Sequence, residues 1–346
     1  MHAPPTASRR ARELGLTVGD LPTGPHNALT DVPGIRVGHT TLSRPPRVHS
    51  GVTAIVPAGV GPGSPLPAGV FAGNGYGKLL GTTQIAELGT IETPVLLTST
   101  LSAFRVADAL VGWMLERPEG AGARSLNPVV GECNDGLLSD IRSRPVREEH
   151  VRAALDSASD GPVAGGSVGA GTGTVALGFK AGIGTSSRRV RLAGEEATLG
   201  VLVQANFGGT LRVLGRTVTP SDVGLPTPEP IPDDGSCMVV AATDAPLDAR
   251  QLTRLARRAV YALGRVGAAY AHGSGDYGLA FGTRRPGTPA GPAVVPDDSL
   301  DALFVAVLDA VEEAVLDSLL TATATTGPRG DTRHPLPAEA LLAVLG

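Results

Sequence analysis

The 346-residue sequence predicts a layered α/β protein. Three observations carry that expectation. Short runs rich in Val, Ile and Leu alternate with long amphipathic stretches, the pattern of strands and helices in turn. Forty-seven glycines and 29 prolines are scattered without a period, which implies many tight turns between short elements. The hydrophobic fraction is 42% but aromatics are only 3%, so the core must be built from Ala, Val and Leu. No internal repeat occurs. The one clear break, a proline-rich loop, interrupts a strand-rich region, so residues 1–346 are read as one domain carrying a processing loop.

Taken in order, residues Met1–Arg12 are expected to be disordered. Asn27–Gly34 reads as a turn. Ile35–Thr41 and Val52–Pro57 read as strands. The glycine-rich Ala72–Lys78 has Ala72 where a phosphate loop needs its first glycine and Leu79 where it needs Ser or Thr, so it is read as a turn. Thr93–Ser99 is a strand. Ser102–Glu116 is a helix with Phe104, Ala107, Val111 and Met114 on one face. Pro128–Gly131 is a strand leading into the polar cluster Glu132–Gly136, and Arg147–Ala158 is a polar surface helix.

Gly161–Val190 is the most glycine-dense stretch. Its Gly165-Gly166-Ser167-Val168-Gly169 matches a nucleophile elbow, but the residues that follow, Ala170–Thr174, do not start a helix. Close backbone approach in a packed sheet is the better reading. Leu199–Ala205 is a strand ending at Asn206, whose side-chain amide can donate to a developing oxyanion or cap the turn. Thr243–Ala271 is a long helix. The polar cluster His272–Asp276 precedes a strand at Leu279–Gly282. Ser299–Ala324 is the last helix, with Phe304, Leu308, Val311 and Val315 on one stripe and Asp309, Glu312, Glu313 and Asp317 on another.

Composition narrows the partners and compartment. A net charge of −4 gives no case for nucleic acid. Lys78 and Lys180 are the only lysines, which leaves two candidates for any amine chemistry. Cys133 and Cys237 make no disulfide framework, and no CxxC or His-rich spacing suggests a metal or cofactor. Arg9, Arg10 and Arg12 are followed by no apolar signal core, and no run approaches the ~18 residues of a membrane span. A cytoplasmic protein is the expectation.

The pivot of the chain is Asp233–Val240. Pro220, Pro226, Pro228, Pro230 and Pro232 keep the preceding segment out of helix and central strand. Met238–Ala242 is then a buried strand, so an exposed loop enters the core at Gly235-Ser236. A turn into a strand is one reading of that junction. The other is self-cleavage: a serine attacks the carbonyl of a residue without a Cβ, and the cut leaves a hydroxyl and a free α-amine on Ser236.

Gly235–Leu247 resembles the autocleavage segment of the DmpA/BapA family (peptidase family S58), the L-aminopeptidase/D-esterase and β-aminopeptidyl-peptidase group. The likeness continues through Asn27–Thr41, Gly51–Pro57, Val129–Arg142, Gly161–Val190, Val201–Gly209, Gly273–Asp276 and Ala314–Arg329. It implies an αββα sandwich of the DmpA/ornithine-acetyltransferase type, similar to N-terminal-nucleophile hydrolases. It implies cleavage into an α chain ending at Gly235 and a β chain starting at Ser236, and an oligomer, commonly a tetramer of such heterodimers. By the resemblance, Ser236 is the nucleophile and Asn206 the oxyanion donor. Ser274 and Asp276 order the Ser236 amine and hydroxyl, and Glu132 binds the free amine of a peptide, amide or ester substrate. Two departures stand out. Some relatives carry an aromatic hydroxyl at Asn134 and some carry Glu at Asp276, which puts substrate preference in doubt. A His272-centred triad with Ser274 and Asp276 is disfavoured, because residues two apart on a turn do not line up. Other readings stay open: an amidase for pantetheine-like or ω-amino-acid oligomer amides, or an uncleaved scaffold without catalysis.

Overall fold

A computed structural model describes residues 9–228, 235–286 and 293–346. Asp233, Asp234, Pro230 and Pro232 of the proline loop, and Met1–Ser8, lie outside the described residues.

The strands in chain order are β1 (Ile35–Arg44), β2 (Val48–Pro57), β3 (Leu66–Gly75), β4 (Leu79–Leu80), β5 (Thr90–Ile91), β6 (Val95–Ser99), β7 (Val129–Cys133), β8 (Val175–Ala176), β9 (Phe179–Lys180), β10 (Ile183–Leu192), β11 (Glu195–Asn206), β12 (Arg212–Val213), β13 (Arg216–Thr217), β14 (Ser236–Thr243), β15 (Gly275–Gly282), β16 (Thr325–Thr326) and β17 (Thr332–Arg333). The helices are α1 (Thr82–Leu88), α2 (Ala103–Leu115), α3 (Glu148–Asp156), α4 (Ala249–Ala262), α5 (Asp301–Leu320) and α6 (Ala338–Leu345).

Two sheets are stacked. One runs β1-β2-β6-β7-β4, the other β10-β11-β14-β15-β3-β5. Period-two alternation assigns each strand's side chains to two layers. In β14, Met238, Val240 and Ala242 point to the layer between the sheets, whereas Cys237, Val239 and Ala241 point to α4 and α5. In β2, Ile55 joins the inter-sheet layer, while Val52, Ala54 and Val56 meet α2 and α3. The order helices, sheet, sheet, helices is the expected αββα sandwich. Among the described residues no helix is long and apolar enough to cross a membrane.

Several elements differ from the sequence reading. The expected helix Thr243–Ala271 is helical only over Ala249–Ala262. Thr243 completes β14, and Asp248 caps the helix by accepting from Gln251 N at 2.7 Å, with Gln251 Oε1 accepting from Asp248 N, a capping box. Beyond Leu263 the chain turns through Gly264 and Gly267, the latter at φ +96°. Ala72–Lys78 is not a turn throughout, since β3 extends to Gly75. In α2 the buried face is Val106, Leu110, Trp113 and Met114, and Phe104 is 64% exposed.

The N-terminal correction is larger. Ala11–Leu14 form a 3₁₀ turn, so Arg9–Arg12 are ordered. Arg10 Nε donates to Asp317 at 2.6 Å and Arg12 Nε to Glu313 at 2.9 Å. The acidic stripe of α5 is therefore buried, not solvated, and arginines from three segments meet it. Arg188 of β10 donates to Glu313 at 2.7 Å with both side chains fully buried. Breaking a buried pair by removing one partner leaves an uncompensated charge. Glu313→Gln is expected to lower stability by about 3–5 kcal/mol, read as a lower urea midpoint with an unchanged slope. An unchanged midpoint would show that the pair contributes nothing.

Candidate active site

The site forms at strand ends where the two stacked sheets face each other, from β7 of one and β11, β14 and β15 of the other. Asn206 ends β11 and Ser236 begins β14, and the two face each other in the antiparallel register. Both share the parity of residues that point between the sheets, Leu202 in β11 and Met238 in β14. Directly opposed residues in such a pair hold their side chains side by side. Asn206 Nδ2 donates to Ser236 Oγ at 3.5 Å. Its Oδ1 accepts from Val175 N at 3.1 Å, which decides which end of the carboxamide faces the serine.

The second donor comes from the other sheet. Cys133 at the end of β7 packs its thiol against the carbonyls of Gln204 and Ser236. The next residue then presents Asn134 N to Ser236 Oγ at 3.2 Å. The Asn134 side chain turns away and accepts from Gly136 N. The sequence reading weighed Asn134 by its side chain, but its backbone N–H is what reaches the serine. No sequence signal marks a backbone donor.

Ser274 and Asp276 lie at the start of β15, which runs parallel to β14 with Ser236 opposite Gly275. Ser274 Oγ donates to Asp276 Oδ1 at 2.9 Å. Among the described residues neither side chain hydrogen-bonds Ser236, and Asp276 Oδ2 is buried without a partner. Burial lifts the Asp276 carboxyl above its usual range, with the Ser274 hydrogen bond working the other way. Gly275 N donates to the carbonyl of Gly235 at 3.1 Å. A Cβ at Gly235 would lie 3.1 Å from Phe207 Cα and 3.3 Å from Ser274 Oγ, so the backbone and the serine approach this residue closely.

A cavity of about 580 Å³ opens beside this cluster, and Asn134, Asn206, Gly235 and Ser274 line it. Ser236 itself is only 3% exposed. Glu132 does not line the cavity. It is buried at the end of β7, where Oε1 accepts from Lys78 N at 2.8 Å and Oε2 accepts from the Thr100 hydroxyl. Lys78 Nζ also stands 3.7 Å from Oε1, so this carboxylate already faces a cation as well as two donors. His272 is exposed and tilts against Tyr76, so it joins no triad. Ser167 of the elbow-like stretch bonds Thr323, away from the cluster. Cys133 and Cys237 are buried free thiols.

A model of peptidase family S58 matches residues 27–333. The chain belongs to peptidase family S58. Among S58 relatives, the β-peptidyl aminopeptidase BapA of Sphingosinicella microcystinivorans is 40% identical over 366 aligned positions, covering 97% of this chain and 91% of that protein. The solved β-aminopeptidase of a Burkholderia species superposes with a TM-score of 0.86 at 41% identity, over 97% of this chain and 98% of the other. The L-aminopeptidase D-Ala-esterase/amidase of Ochrobactrum anthropi, described as a variant of the Ntn hydrolase fold, gives 0.85 at 39% identity, again over 97% and 98%. This S58 chain has the same DmpA-type fold and is an aminopeptidase or amidase.

Proposed function

We propose that Ser236 is the nucleophile of this aminopeptidase and that it first cuts its own chain. The observation that carries this reading is that Ser236 Oγ receives two N–H donors, one from each sheet, immediately after a glycine whose carbonyl is held by Gly275 N. In the first step Ser236 Oγ attacks the Gly235 carbonyl carbon. The Gly235–Ser236 C–N bond breaks, the hydroxyl proton passes to the leaving amine, and water hydrolyses the resulting ester. Gly235 lines the cavity and Ser236 does not, so release of the Gly235 end opens the nucleophile to substrate.

In the mature form the α-amine of Ser236 is the base. Such an amine has a pKa of about 7.7–8.0, so much of it is uncharged near neutral pH. It takes the hydroxyl proton as Oγ attacks the substrate carbonyl, then gives it to the departing amine. Donors 3.2 and 3.5 Å from Oγ are placed to reach the adjacent oxyanion of the tetrahedral intermediate. Asp276, with one buried oxygen unpartnered, is the counter-charge for the new ammonium. We read the substrate as a short peptide or amide with an unblocked amine, β-residues included, on the likeness to the β-peptidyl aminopeptidase. The cavity suits a ligand of that size.

On a denaturing gel the purified protein should give bands near two thirds and one third of the chain, and the smaller should begin Ser-Cys-Met on N-terminal sequencing. An active preparation with the bond before Ser236 intact would end this reading. A pH profile tests Asp276. An ionised carboxylate favours the ammonium and raises the amine pKa, so the base form appears only at higher pH. Asp276→Asn removes that charge. The rising limb of kcat/KM should then move to lower pH by about one unit. A limb that stays in place assigns Asp276 no such role.

A further inference from the structure

Lys180 is fully buried. Its ammonium donates to the carbonyls of Gly171, at 3.2 Å, and Ala181. Among the described residues it has no acidic partner, and burial alone lowers its pKa to about 7. A buried cation without a counter-ion is costly, and an apolar side chain would pack there more favourably. Its use must lie in what it holds.

The two carbonyls stand at the ends of one loop, 171–181. Inside that loop β8 pairs with β9, Val175 opposite Lys180. Ala181 N closes it by donating to Thr174 O. The loop lies against β11 with little room to shift. Gln204 Nε2 grips Ala170 O at 2.9 Å, and Ala205 N donates to Gly182 O. A Cβ at Gly171 or Gly182 would come within 2.4 Å of backbone. The loop delivers one bond to the site, Val175 N to Asn206 Oδ1. That bond matters because a carboxamide has a donor end and an acceptor end of nearly the same shape. Turned over, Asn206 would aim oxygen at the oxyanion and repel it.

We propose that Lys180 is a positioning residue for hydrolysis: it clamps loop 171–181 so that Val175 N holds the Asn206 amide donor-first toward Ser236. The proposal rests on Asn206 being the oxyanion donor, and the test separates the two. Lys180→Met, Lys180→Gln, Asn206→Ala and the double variant Lys180→Met/Asn206→Ala are assayed on an amino-acid p-nitroanilide, with rates normalised to processed chain. Lys180→Met should lower kcat 10- to 100-fold with KM within about threefold. Lys180→Gln, which keeps an N–H donor without the charge, should recover part of the loss. In the Asn206→Ala background the Lys180 change should cost less than threefold, because nothing remains to orient. An equal loss in both backgrounds overturns the proposal, as does an undiminished kcat or a Lys180→Met protein without a native melting transition. A wild-type rate in Asn206→Ala itself would instead remove the oxyanion reading beneath it.

Discussion

Replacing Ser236 with alanine is expected to leave a single full-length band and no measurable hydrolysis. Both losses follow from one atom. Among the described residues Oγ is the nucleophile that the donors of the two sheets converge on, and without a cut there is no free α-amine to act as base. Removal of the nucleophile from a serine hydrolase typically costs about 10⁴–10⁶ in kcat. The fold should survive, because Ser236 opens a strand whose remaining residues stay buried and alanine is smaller than serine. The check is a gel, a p-nitroanilide assay and a thermal melt on one preparation. A variant that still cuts or still hydrolyses would remove Ser236 from the mechanism.

The second large effect is expected at Asn206. Asn206→Ala should lower kcat about 10²–10³-fold, the usual effect of losing one oxyanion donor. KM should change little, because charge develops on the substrate oxygen only as Oγ attacks. Activity should not vanish, since Asn134 N still points at the site. Asn206→Asp should be worse than Asn206→Ala, because it places an acceptor where the oxyanion forms. A fall in KM with kcat preserved would make Asn206 a binding group instead.

Much of this site was legible in the residues. Proline crowding before an apolar run marked the junction at Ser236. Asn206 was visible as an amide at the end of a Val-rich strand, able to donate to an oxyanion or to cap the turn. The glycine density of 161–190 announced close backbone contact, and carbonyls lie within 2.4 Å of where several of those side chains would begin. The errors have physical causes. The helix after β14 was drawn too long because Leu and Ala periodicity ran past a cap at Asp248 and a glycine stop. The acids of α5 showed only as a second stripe because their arginine partners lie far along the chain: Arg10, Arg12 and Arg188 reach Asp317 and Glu313, and Arg265 reaches Asp309 and Glu312. Asn134 was weighed by the wrong group, since a backbone N–H has no letter in the sequence. Lys180 was noted only as one of two lysines.

From the sequence alone came the layered class, the family likeness and the candidate junction at Gly235-Ser236, because alternation, proline exclusion and glycine tolerance are local properties of a chain. Only the tertiary structure decided which donors meet at that serine, which carboxylates are already occupied and which lysine is sealed inside. Those outcomes depend on how two sheets stack. A hydrogen bond between residues 30 or 100 positions apart exists only once the layers have closed and water has left.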